Sequence, residues 1–157
     1  MTHPLVKVAM LVRRPAAEVF DAFVNPDTIT KFWLEATSGP LAAGARVDWR
    51  FMVPGATAVT TVTRFEPPQV LAFDWSDGIS VSLTFEAATP GITHVSVEAS
   101  GFRGEHAVDL TVGATEGFTL VLCDLKTLLE TGESANLVRD KAQLITEAMS
   151  SSSKRGE

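Results

Sequence analysis

His106 stands beside Glu105 and three residues before Asp109 in the stretch RGEHAVDLTVGA. An imidazole with carboxylates close by is equipment for general acid–base chemistry, such as moving a proton on an enolisable ketone. A polar surface loop carries the same residues for solvation alone, and the pattern of 103–114 favours that reading. Arg50, Arg64 and Asp74 fall on the polar phase of alternating segments, which reads as a solvated convex face. A bulge that turned Arg50 or Arg64 inward would create an anchor for a carboxylate or phenolate. Cys123 is the single cysteine. It lies one position off an apolar stripe with no base beside it, so it reads as a small buried hydrophobe. No His, Cys, Asp or Glu spacing suits a metal, and no Gly-x-Ser-x-Gly, phosphate loop or dinucleotide fingerprint occurs. The expectation is therefore no catalytic set, no metal and no cofactor.

The chemistry of binding is better represented. Eleven phenylalanine and tryptophan side chains recur on inward phases of the pattern, and most such rings fill a core. Trp33, Trp49, Trp75, Phe85 and Phe118 are the first candidates to line a cavity instead. Phe23 and Phe51 join them, with Leu122 and Leu125 beside Phe118. Large rings leave irregular space between them, and indole needs a partner for its N–H. A cavity lined this way would take a small hydrophobic or aromatic molecule.

The elements that must position these residues can be read from periodicity. Residues 115–130, TEGFTLVLCDLKTLLE, place Phe118, Val121, Leu122, Leu125, Leu128 and Leu129 on one helical stripe. Gly132 stands where a helix C-cap belongs. LVKVAMLVR (5–13) predicts a first strand. Two short helices follow, AAEVFDAFV and about 26–34, joined by Asn25 as cap and Pro26 in the first turn. From residue 45 the period becomes two, giving ARVDWRFMV, TAVTTVTRF, VLAFDW, SVSLTFEA and THVSVEASGF, separated by Pro-Gly, Pro-Pro and Asp-Gly turns. Strands joined this tightly form an antiparallel meander with one wet face and one buried face. The pattern predicts an α+β, helix-grip architecture. A curved antiparallel sheet of about six strands wraps a long C-terminal helix, with two short helices after the first strand. Residues 1–148 read as a single domain and 149–157 as a frayed tail. The amphipathic segment 134–149 either extends the core or packs a homodimer.

A net charge of −6, with no run that gathers the 13 Lys and Arg, argues against a nucleic-acid or anionic-membrane partner. The lone cysteine, the lack of a signal-like N-terminus and the lack of an apolar run near the roughly 18 residues of a membrane span fit a cytoplasmic protein.

VRRPAAEVFDAFVNPDTITKFW resembles the opening of the START/polyketide-cyclase superfamily, in particular the branch named for the activator of the 90-kDa heat-shock-protein ATPase. Glu66-Pro67-Pro68 ahead of Phe73-Asp74-Trp75, then Ser100-Gly101-Phe102, then Glu116-Gly117-Phe118 with LxxLKxxLE, match three further motifs of that family in order. The resemblance covers about residues 5–132. Phe118 and Phe32 stand where the family usually has tryptophan. The resemblance implies non-catalytic binding of a small hydrophobic molecule between sheet and helix. It also implies two alternatives: a module regulating a chaperone ATPase, or a cyclase- or hydrolase-like enzyme acting on an aromatic or polyketide-like substrate.

Overall fold

A computed structural model describes residues 3–155. The chain opens with β1 (Val6–Val12), α1 (Ala16–Val24) and α2 (Pro26–Phe32). Asn25 ends α1 and caps α2, its side chain accepting from the Asp27 amide at 2.9 Å, with Pro26 in the first turn. Five strands form the expected meander: β3 (Arg46–Phe51), β4 (Thr57–Glu66), β5 (Val70–Trp75), β6 (Ser80–Thr89) and β7 (Ile92–Ser100). Ahead of them lies β2 (Leu34–Thr37), which raises the sheet to seven strands in the order β1-β7-β6-β5-β4-β3-β2, antiparallel throughout. At four residues β2 is too short to show an alternation of its own. It takes Leu34 out of the region predicted as helix, and Trp33 becomes the C-cap of α2.

The inward phase of the strands is the predicted one. Val47 and Trp49, Leu71 and Phe73, Val81, Leu83 and Phe85, and Val95, Val97 and Ala99 are all buried. The register of β4 slips between Val62 and Arg64. The slip moves the inward phase from even to odd positions, so Phe65 meets Phe20 edge-on at 5.4 Å.

Helix α3 (Ala107–Thr131) crosses the concave face and ends at Gly132, whose φ of +88° and N–H bond to the Leu128 carbonyl make the expected cap. It starts eight residues earlier than the sequence pattern predicts, so most of the anticipated polar loop is helical. Thr111, Thr115 and Thr119 hide this helix, since threonine is an indifferent helix former. Each hydroxyl donates to the carbonyl four residues back at 2.7 Å. Two side chains of α3 reach the outer edge of β1: Lys126 donates to the Leu11 carbonyl at 2.8 Å, and Glu130 accepts from the Arg13 amide at 3.0 Å.

Helix α4 (Leu137–Arg155) turns back over α3 and continues into the segment expected to fray. The last two residues of that segment, 156 and 157, lie outside the described residues. The turn is organised by Asp124, only 1% exposed, which accepts from the Ser134 hydroxyl at 2.5 Å and the Ala135 amide at 2.7 Å. α4 extends the core through buried Ala142 and half-buried Val138. None of the helices among the described residues is long and apolar enough to cross a membrane.

Candidate functional site

An open cleft of about 320 Å³ lies where the ends of β3 and β5 meet α3 and α4. Trp33, Phe51 and Trp75 form its aromatic floor with Phe118 from α3. The turn after β3 contributes Met52, Val53 and Ala56, and α3 adds Ala114, Gly117, Leu120 and Val121. α4 closes the far side with Val138, Lys141, Ala142 and Ile145. Among the described residues Lys141 is the one ionisable side chain in the wall, and Glu116 already engages it at 2.6 Å.

The rings pack as an edge-to-face network. Trp33 is its hub, with Phe23, Trp49, Phe73, Trp75 and Phe118 all between 5.1 and 6.4 Å of its ring. Trp75 and Phe118 break the pattern by lying parallel, 6.0 Å apart with 6° between their planes. Hence Phe118, on α3, stacks on the sheet itself. The indole nitrogen of Trp75 is buried with no hydrogen-bond partner.

Of the side chains proposed from sequence, Trp33, Phe51, Trp75 and Phe118 stand in the cleft wall. Phe23, Trp49, Phe85, Leu122 and Leu125 are each at most 2% exposed and belong to the packed core behind it. Inward phase identifies both groups alike; only three-dimensional packing separates a ring that borders space from one that fills it. The α4 residues were undecidable from sequence because that segment suited a core or a dimer equally. Ala114 and Gly117 fall at helical spacing with Val121, a signal masked by the small side chains themselves.

The candidates for acid–base or anion chemistry are elsewhere. Arg50 and Arg64 are exposed, and Arg64 pairs with Glu66, so the slip in β4 turns Phe65 inward and not the arginine. His106 caps the start of α3, largely exposed, with Glu105 at 3.2 Å and Asp109 at 3.9 Å; it does not line the cleft. Cys123 is half-buried. No group of three His, Cys, Asp or Glu among the described residues could hold a metal ion. Of the carboxylates, Glu130 has its pKa lowered, chiefly by the Lys126 hydrogen bond and then by the Arg13 amide. It lies at the β1 edge and has no place in the cleft wall.

Residues 13–130 match the family model described as activator of Hsp90 ATPase homolog 1-like protein. The fold is similar to that of protein SSP2350 from Staphylococcus saprophyticus, at 29% identity over 83% of this chain and 95% of that one, with a TM-score of 0.74. Protein MLL2253 from Mesorhizobium loti is similar at 25% identity over 81% and 97%, with a TM-score of 0.70. The Aha1 dimer from Colwellia psychrerythraea shares the fold at a TM-score of 0.74, with 19% identity over 83% and 99%. A search of curated proteins finds no match.

Proposed function

We propose that this chain, which belongs to the activator of Hsp90 ATPase homolog 1-like family, binds a small apolar or aromatic molecule in the cleft between the sheet, α3 and α4, without transforming it. The observation that carries the reading is the wall itself: aromatic and aliphatic side chains, with one ionisable group that is already paired. A volume of about 320 Å³ lies at the lower end of the range for small-molecule sites. Acid–base catalysis needs an ionisable group within reach of the substrate; His106 and its carboxylates stand outside the wall, which weighs against the cyclase- or hydrolase-like alternative.

Native mass spectrometry of the purified protein, gentle and then denaturing, tests the proposal. A small apolar mass that leaves on denaturation supports it; failure of the apo protein to bind any member of an aromatic fragment set in the same instrument sinks it.

A second reading, a protein-interaction module acting on a chaperone ATPase, is favoured by a separate observation. Val108, Leu110 and Val112 on α3, with Leu144 and Met149 on α4, are all more than half exposed. If that surface is the working one, charged substitutions at Val112 and Leu144 abolish chaperone capture and leave fragment binding intact. Light scattering on the same variants separates a chaperone contact from a homodimer.

A further inference from the structure

Two side-chain atoms are buried without a hydrogen-bond partner among the described residues, Trp75 Nε1 and Thr60 Oγ1. They are neighbours. Thr60 on β4 and Trp75 on β5 are directly opposed in the antiparallel register, so their side chains leave the same face with Cβ atoms about 5 Å apart. Thr60 is 0% exposed, on the concave side with Ala58 and Val62, while Trp75 belongs to the cleft wall. No acceptor lies within hydrogen-bond distance of the indole N–H, and the rings of Trp33, Trp49, Phe51, Phe73 and Phe118 pack around the indole. An indole N–H can only donate, and a threonine hydroxyl can donate or accept. Leaving both dry is costly, and a wholly apolar site would use Phe and Val at these positions at no such cost.

We propose that Trp75 in the cleft wall and Thr60, packed directly behind it, form a paired polar anchor that a ligand reaches from the cleft, and that the ligand is an aromatic molecule bearing a carbonyl or comparable acceptor oxygen. One oxygen placed between the two atoms accepts from both, which orients a ligand that the rings alone would hold in any direction. The anchor rests on the cleft-binding reading and adds to it the ligand's class and orientation. No bond is made or broken: two donors on one neutral carbonyl fix it in place, and the one ionisable side chain of the wall, Lys141, is held by Glu116.

The test uses two probes of the same shape, 2-acetylnaphthalene and 2-isopropenylnaphthalene, in which C=CH₂ replaces C=O. Titration calorimetry on the full chain should show the ketone binding about tenfold more tightly than the alkene. Thr60→Val, which keeps the side-chain shape, and Trp75→Phe, which keeps a ring but not the N–H, should each lower the ketone-to-alkene affinity ratio by about threefold, since each deletes one of the two donors. Thr60→Val should melt no lower than the parent, since it deletes an unpaired hydroxyl, so a loss of ketone binding is not a loss of fold. Equal binding of ketone and alkene by the parent overturns the anchor and leaves the cleft reading standing; the Trp75 N–H is then satisfied by a ring face or a structural water. Binding of neither probe overturns both.

Discussion

Gly117 offers a way to separate the stability of this fold from the use of its cleft. It lies within α3 and in the cleft wall, and a Cβ built on it meets nothing within 4 Å. Replacing it by alanine removes the backbone-entropy penalty of a mid-helix glycine, about 1 kcal/mol. For a chain of this length that raises Tm by about 2–4 °C. Leucine gains the same term and covers apolar wall; half of the usual value for a buried leucine adds about 1 kcal/mol more. The two variants part at the ligand. Alanine leaves the cleft open, whereas leucine puts four carbons where a ligand would be. Displacing four ligand atoms at about 0.3–1.5 kcal/mol each forfeits about 1 kcal/mol at the least, close to tenfold in affinity. Gly113 is the control, with equally open space but no place in the wall. Thermal melts and calorimetry with 2-acetylnaphthalene on Gly113→Ala, Gly117→Ala and Gly117→Leu give the answer. All three should melt higher, and only the leucine variant should lose the ligand. A leucine variant that binds as well as the parent would refute the placement of the site.

Three other outcomes are expected. Gly101 has a φ of +104°, and a Cβ there would stand 2.4 Å from the Gly78 carbonyl oxygen; Gly101→Ala should cost about 3 kcal/mol or more by urea unfolding, and a loss under 1 kcal/mol would show that the turn gives way freely. Asp124→Ala removes two hydrogen bonds from the α3–α4 turn and leaves the Ala135 amide unpaired; it should cost about 2–3 kcal/mol, and a fall in ketone affinity should accompany it because α4 forms one wall. For Glu130 the pKa is lowered in the folded state, so its contribution is full above the unfolded carboxylate value of 4.5 and fades as pH falls through the lower folded value. The stability gap between parent and Glu130→Gln should therefore be constant from pH 8 to about 5 and close below 4.5; a gap that persists into acid points to packing as its source.

The sequence carried the fold more fully than the site. Asn25-Pro26 specifies the break between α1 and α2 by capping chemistry, and strict alternation in β3 to β7 specifies which side chains turn inward. Those signals are local. β2 escapes because four residues hold no period, and the start of α3 escapes because threonine and glycine dilute its stripe. The cleft depends on something no periodicity encodes. Trp49 and Trp75 have the same inward phase on the two strands that flank β4, yet one is sealed in the core and the other borders the cleft. The difference arises at the end of β5, where the cleft opens between the sheet, α3 and α4.

The side chains that tie helices to strands have a further result at the rims of the sheet. An open antiparallel sheet ends in two rows of backbone donors and acceptors that another chain can extend. On one rim Lys126 occupies the Leu11 carbonyl of β1 and Glu130 the Arg13 amide just after it. On the other, β2 is only four residues long and Arg139 of α4 holds its Glu35 at 3.0 Å. Each margin is thus guarded by a helix from the C-terminal part of the chain. Until α3 and α4 dock, both rims stand open to pairing; once they dock, the end of β1 is occupied and the row left on β2 is only four residues long.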